Sequence, residues 1–557
     1  MPYEMPNETI IARPGRSIQT KSGISLIINI PTPSCIMDGH AHMENGACAP
    51  LPLLWDKSWL IRGKTRKQID DDSTKGLFGT VFKMLKGEAG PVQVMSSFDI
   101  GNRAVHDNEN AFAADTLIGK SKLYGSQQAE SKIRDFYSFL IILMMDMEYA
   151  HIAGLYGQTI YHDDEPVWYY YERQSGVVDE NKGKKILLPG ENQLTFAMWR
   201  KQLRETIEAA KVNPLKILPM YFYAPQRWNK SKKMTFDDKK FTGPWDYPFS
   251  QIATVKNQGV FPGFKMYNPL GSQPLDPRLP YLHDKALEGD CFYARCEREG
   301  IPIMAHCSPG GMTTHELKFF MEHDSGRSNY QNQPHYSVQN SNAPADATTV
   351  SLDNEEMAIR HFYDNYVHPK AWRKVLEKYP KLKLCLAHFG GDEFKKGLKS
   401  SWVTEILALT EEYVNVYTDF SCWDMDDCKE HLQELLTSVR YSCIREKLLF
   451  GTDWYMTLVA LGGKSYKSFC EDAWEAFMEI PDGEKLWVNC TFLNPFTFYG
   501  IFEKDPQTGV NKLENIAAAL DAAKCKRTKL QENLAFFKRL EKQYDKHVEE
   551  RKKAKGV

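Results

Sequence analysis

No stretch of this sequence approaches the roughly 20 consecutive apolar residues that a helix needs to cross a bilayer. The longest apolar run, residues 139–145, stops at Asp146 and fits a buried strand. Neither sign of charge is in excess: 70 Lys and Arg face 72 Asp and Glu, for a formal net charge of -2. No overall field therefore draws the chain to nucleic acid or to an anionic membrane, and neither is expected as a partner. The N-terminal segment MPYEMPNETIIARPGRS lacks the apolar core and the small-residue cleavage site of a secretory signal. Twelve cysteines are scattered without a CxxC pair, several of them inside apolar runs (Cys35, Cys307, Cys385). There a free thiol behaves as a small hydrophobe, so a reduced, cytoplasmic protein is expected rather than a disulfide framework.

What is present is ordinary globular material: 557 residues, 42% hydrophobic and 25% charged, enough to bury a large core. Eight short apolar or β-rich segments stand out, at 34–37, 139–146, 215–223, 260–267, 301–306, 382–388, 414–419 and 447–453. Continuous apolar runs of this length suit strands buried on both faces, as in a parallel sheet. Amphipathic stretches lie between them, such as 196–211 before Pro214 and 371–378 before Pro380. Strand and helix in alternation predict an α/β fold, and eight units suggest a (β/α)8 TIM barrel; a doubly wound sheet would give a similar pattern.

The intervals are uneven. The barrel is expected over 35–505, behind an N-terminal extension at 1–34, with insertions at about 44–138, 151–195 and 309–370. In the second of these, the apolar runs at 166–172 and 184–188 flank a polar Gly-rich stretch and predict a β-hairpin. Loops this long commonly cover a site, and they also form subunit contacts, so a homo-oligomer is an open expectation. Residues 506–557 are charged and helix-prone, and predict a solvated helical extension with a frayed end.

The chemistry-bearing residues sit at the ends of the apolar runs. In Asp38-Gly-His40-Ala-His42, two imidazoles two residues apart on a strand point to the same side and can reach one ion. Ile301-Pro-Ile-Met-Ala-His306 and Leu382-Lys-Leu-Cys-Leu-Ala-His388 each end in His, and Lys447-Leu-Leu-Phe-Gly-Thr-Asp453 ends in a carboxylate. Each alone has a bland explanation, Asp453 as a helix N-cap for instance. Three strand ends bearing His are harder to explain by packing, because a buried imidazole without a partner costs free energy. Together they fit a catalytic divalent metal with an open coordination position. His315 is read as a loop histidine, Tyr169–Tyr171 as either an aromatic wall over substrate or a packed hairpin face, and Cys307 as core.

Five motifs occur in order: Asp38-Gly-His-Ala-His42, Gly263-Phe-Lys-Met-Tyr-Asn-Pro269, Gly300-Ile-Pro-Ile-Met-Ala-His306, Leu386-Ala-His-Phe-Gly-Gly391 and Leu449-Phe-Gly-Thr-Asp453. This set resembles the amidohydrolase superfamily, nearest the branch that holds both hydrolases and non-oxidative decarboxylases. Trp487-Val-Asn-Cys-Thr-Phe-Leu-Asn-Pro495 with the Phe-Thr-Phe-Tyr-Gly500 that follows resembles the segment ending such domains. The resemblance implies His40, His42 and His306 as metal ligands, Asp453 as a further ligand or the base, and His388 beside the bound water or substrate, as a second metal's ligand or as a proton-transfer group. Lys265 would hold a substrate carboxylate or pair with an acid such as Asp419, or, if carboxylated, bridge two metals. Asp419 would orient the imidazoles, or cap the turn after its own strand. The implied cofactor is one divalent ion, zinc first, with manganese or iron(II) as substitutes. The implied reaction is metal-activated hydrolysis of an amide, lactone or ester in a small molecule. Decarboxylation of a carboxylic acid and an inactive binding barrel are the alternatives.

Overall fold

The computed structural model describes residues 10–19, 25–30, 35–42, 137–145, 160–162, 165–167, 169–170, 186–187, 191–225, 228, 234–236, 239–241, 245–270, 272–276, 279–283, 290–309, 363–364, 366–453 and 466–554. Eight of its strands make one sheet, and they fall on the eight predicted segments: β1 Cys35–His42, β2 Tyr137–Leu143, β3 Ile217–Phe222, β4 Phe264–Met266, β5 Ile303–His306, β6 Leu384–Ala387, β7 Val416–Asp419 and β8 Leu448–Leu449. Each pairs in parallel with the next in sequence, from Cys35 opposite Tyr137 to Asp419 opposite Leu449. Every described side chain on β3 to β8 is buried, as expected of a parallel sheet covered by helices.

The ring closes where β8 returns to β1. Gly39 N donates to Phe450 O (2.9 Å), and Asp453 N and Thr452 N donate to His40 O (2.7 and 3.2 Å). The approach is so tight that a Cβ on Gly451 would stand 2.7 Å from His40 Cβ, which explains a glycine there. Asp38 adds a clasp, its Oδ1 accepting from His40 N and Thr452 N and its Oδ2 from Thr452 Oγ1. The sheet order, parallel throughout and joined end to end, decides for the (β/α)8 barrel over the doubly wound alternative.

Helices fill the intervals: α1 Glu191–Val212, α2 Asp246–Gln251, α3 Phe292–Glu299, α4 Pro369–Lys378, α5 Ser401–Glu412, α6 Met425–Thr437 and α7 Tyr466–Met478. On α4, Pro at the first position and the His368 ring accepting from Lys370 N start the helix. Its Trp372, Val375 and Leu376 then repeat at helical spacing and face the core. The helical run through Asn489–Leu493 and Asn494–Tyr499 pins the closure from outside. Asn494 donates to Leu448 O, and Tyr499 OH to Gly39 O.

The C-terminal segment differs from its expectation. Helices α8 Lys512–Ala522 and α9 Arg527–Ala554 are docked, not fully solvated. Leu530, Asn533, Phe537 and Leu540 are buried, and with Tyr544 they recur at alternating spacings of three and four, a mostly apolar stripe with one buried amide, easily lost in a charged sequence. Phe537 packs on Phe139 at 4.5 Å between ring centroids, Asn533 donates to Pro214 O, and Arg551 donates to Asn489 and Asn494 Oδ1. Phe139 and Pro214 lie at the starts of β2 and β3. The helix therefore braces the N-terminal end of the barrel, leaving the C-terminal mouth to the site.

Lys512 is buried in this brace and gives Nζ hydrogens to Pro262 O (2.5 Å) and Tyr499 O (2.8 Å). Burial pushes its pKa down to about 7. A lysine whose folded pKa is depressed contributes stability that is fully present above its unfolded value and lost as pH falls to the folded one. Urea unfolding of the wild type should therefore gain in midpoint between about pH 6.5 and about pH 9, relative to Lys512→Met. Parallel pH profiles would contradict the buried ammonium.

Two further features were not expected or only outlined. An antiparallel hairpin, Ile10–Gln19 with Ser25–Ile30, lies in the segment read only as an extension. The predicted hairpin of the second insertion is present in its backbone, Tyr169 and Tyr170 pairing with Leu187 and Ile186. Most of 44–138 and 309–370, His315 and Tyr171 lie outside the described residues. Among the described residues no helix is long and apolar enough to cross a membrane.

Candidate metal centre

Seven residues singled out in the sequence are gathered at the carboxyl ends of the strands, and all are buried: His40, His42, Lys265, His306, His388, Asp419 and Asp453. That is the face at which barrel enzymes keep their active sites. On β1 the two histidines share a side, as their spacing dictates. Their Nε2 atoms lie 3.3 Å apart, and Asp453 Oδ1 lies 3.0 Å from His42 Nε2 and 3.3 Å from His40 Nε2. These atoms form a triad compact enough to hold one ion. His306 is not in that triad; its Nδ1 sits 3.0 Å from His388 Nε2, and the His388 ring lies 4.7 Å from that of His40.

The backbone is bent to bring these groups in. His388, Phe389, Cys422 and Asp453, all just past β6, β7 and β8, have φ between 46° and 68°. Left-handed non-glycine residues cost on the order of 1–3 kcal/mol each and persist where surrounding bonds hold them. At His388 those bonds are visible: its N–H donates to Asp419 Oδ1 (2.9 Å) and its carbonyl accepts from Trp423 Nε1 (2.9 Å). The glycines that follow are required: a Cβ on Gly391 would fall 2.3 Å from Ser308 Oγ.

Asp419 serves both readings made of it. It accepts from Ser421 N (3.1 Å), capping its own turn, and its Oδ2 takes the His40 Nδ1 hydrogen at 3.0 Å. With Nδ1 committed to a carboxylate, the His40 ring presents Nε2 to the triad. Ser421, not picked out in the sequence, completes this layer: its Oγ lies 2.5 Å from Asp419 Oδ1, 2.9 Å from His388 Nδ1 and 3.2 Å from His40 Nδ1. The only sequence signal for it was its place two residues beyond Asp419.

The electrostatics follow from burial and near neighbours. Burial pushes His42 and His388 down to about 4, so both rings are neutral at pH 7. Burial works against charge on Asp453 and Asp419 too. It is outweighed at Asp453 by the His42 and His40 rings beside it, and at Asp419 by His40; both carboxyls are held below their ordinary range. His40 is raised, since Asp419 overcomes the cost of burial. Lys265 on β4 is pushed down to about 8 by burial, partly offset by Asp453 and Asp419. Its Nζ makes no hydrogen bond among the described residues, and the pairing with Asp419 considered from sequence is not formed.

A cation suits this donor set. Asp453 Oδ1 is buried without a hydrogen bond, and it is ionised beside the Nε2 atoms of His40 and His42. Two imidazoles and a carboxylate oxygen are ligands of a divalent transition metal. Cys307 is core, as its alternation on the strand predicted.

Residues 251–471, which span β4 to β8 and part of α7, match the Amidohydrolase family model. No curated protein sequence matches the chain. Among solved structures, 4-oxalomesaconate hydratase from Rhodopseudomonas palustris is 12% identical, with 88% of this chain and 98% of that one covered at a TM-score of 0.32. A 5-carboxyvanillate decarboxylase from Novosphingobium aromaticivorans, complexed with manganese, is 12% identical over 78% of this chain and 93% of its own, TM-score 0.31. An amidohydrolase from Burkholderia multivorans with bound zinc is 11% identical over 59% and 96%, TM-score 0.26. Scores this low carry no argument, and the fold rests on the strand order itself. Residues 251–471 are thus similar to the amidohydrolase family, and they lie in an eight-stranded barrel that carries the five motifs at its strand ends.

Proposed function

We propose that this protein is a metal-dependent hydrolase that cleaves a C–N or C–O bond, in an amide, lactone or ester, of a small molecule. The observation that carries the reading is the convergence of His40 Nε2, His42 Nε2 and Asp453 Oδ1 within 3.0–3.3 Å, buried at the barrel mouth. These three would hold one divalent ion, zinc first and manganese or iron(II) as substitutes, with His306 as a further ligand. Such an ion lowers the pKa of a water from ~15.7 to ~7 and so supplies a nucleophile at neutral pH.

The chain's own groups do the rest. Asp419 fixes the ring of His40. Asp453, held ionised, suits a ligand better than a base, because its conjugate acid is too strong to keep a proton at neutral pH. His388 is neutral and accepts the proton of the attacking water at Nε2, then returns it to the leaving nitrogen or oxygen. Lys265, a buried cation at the same mouth, supports a substrate that carries a carboxylate or develops negative charge. If carboxylated instead, it would bridge a second metal.

Zinc-loaded protein should hydrolyse members of a panel of amides, lactones and aryl esters, and should lose that activity on chelation. Hydroxylated aromatic acids in the same panel serve as the contrast. Release of carbon dioxide from them without any hydrolysis would replace the hydrolase reading with a decarboxylase. Inertness to the whole panel, with metal bound, would favour a binding barrel.

A further inference from the structure

The hydroxyl of Ser421 has one hydrogen and three close polar neighbours: Asp419 Oδ1 at 2.5 Å, His388 Nδ1 at 2.9 Å and His40 Nδ1 at 3.2 Å. Counting protons decides how it is used. The Asp419 carboxylate already accepts from four donors, namely His40 Nδ1, Cys385 Sγ, His388 N and Ser421 N. A carboxylate acts only as an acceptor, so at 2.5 Å the single Ser421 hydrogen lies on the line to Oδ1. The oxygen lone pairs are then what face the two rings. A contact of 2.9 Å between that oxygen and His388 Nδ1 is a hydrogen bond only if Nδ1 carries the hydrogen.

The geometry points to Ser421 as a positioning residue that locks His388 in its Nδ1–H tautomer, leaving Nε2 as the one basic nitrogen of the ring. Nε2 is the atom turned toward His306 and the barrel mouth. The lock is rigid for local reasons. Asp419 is tied to the backbone of both His388 and Ser421, and Trp423 holds the His388 carbonyl. Ser421 also reaches His40 Nδ1, so the same hydroxyl spans the triad ring and the proton-transfer ring. Without it His388 Nδ1 has no acceptor among its described neighbours, and the neutral ring is free to move its hydrogen to Nε2, which would remove the base. This inference rests on the proton-transfer role proposed for His388.

The test reads the tautomer directly. In metal-free wild type labelled with 15N histidine, the ring signals that vanish in His388→Asn should show a protonated Nδ1 and a bare Nε2. In Ser421→Ala those signals should shift toward Nε2–H. Turnover of the zinc-loaded variant should fall about 10–100-fold, the usual cost of removing an outer hydrogen-bond partner. KM and metal content should stay near wild type, and Ser421→Thr should restore most of the rate. A wild-type His388 with hydrogen on Nε2 overturns the assignment even if Ser421→Ala does not fold. So does a folded Ser421→Ala with the wild-type tautomer and rate. If the tautomer is as stated but the protein binds no metal and hydrolyses nothing, the hydrolase reading fails and the Ser421 lock stands.

Discussion

Replacing His40 with alanine is expected to strip the protein of its metal and reduce hydrolysis to background, while the barrel stays folded. His40 is the most connected residue of the site: Nε2 faces His42 and Asp453, and Nδ1 is tied to Asp419. Outer partners of a ligand typically cost 10–100-fold in affinity when removed, so losing the ligand itself should cost more than that. Asp419 would also be left with one donor fewer and Asp453 with one neighbour fewer, which weakens what remains. Elemental analysis after dialysis, with a melting curve, checks this. A His40→Ala protein that retains its metal would place the ion elsewhere.

The second large effect is expected at His388. His388→Asn keeps a donor on the Ser421 side of the ring but removes the basic Nε2. Turnover should fall by ~10²–10⁴, the usual contribution of a positioned general base, with metal content unchanged. Because burial holds the His388 pKa at about 4, the ring stays neutral through the neutral range. The wild-type rate should therefore not fall on this group's account until the pH drops well below 6.5, its ordinary value. Loss of metal in His388→Asn would instead make the residue a ligand.

Why the sequence revealed so much of this fold is visible in particular residues. Strands buried on both faces are near-continuous apolar runs, so all eight were readable, and the histidines that end β5 and β6 marked where each run reaches the site. His40 and His42 were readable because alternation on a strand is local. What stayed hidden depends on contacts between distant segments. Ser421 carries no local signal of its own; its meaning arises where β7 lies beside β1 and β6. The docking of α9 was hidden because Phe537 and Leu540 are few among lysines and glutamates, and the Phe139 on which Phe537 packs is hundreds of residues away. The sequence did suggest His306 beside His40 and His42. The structure instead sets it against His388, a grouping that only side-chain geometry can supply.

Lys265 remains the residue on which metal count turns. Its Nζ is buried and near Asp453 and Asp419, yet forms no hydrogen bond among the described residues. The most direct measurement is therefore metal stoichiometry of the wild type after reconstitution with zinc and removal of the excess, alongside Lys265→Ala. The account predicts one tightly held zinc per chain in both proteins. A wild type that stays metal-free would contradict the metal centre itself, and two ions per chain, one of them lost in Lys265→Ala, would contradict the single-ion site.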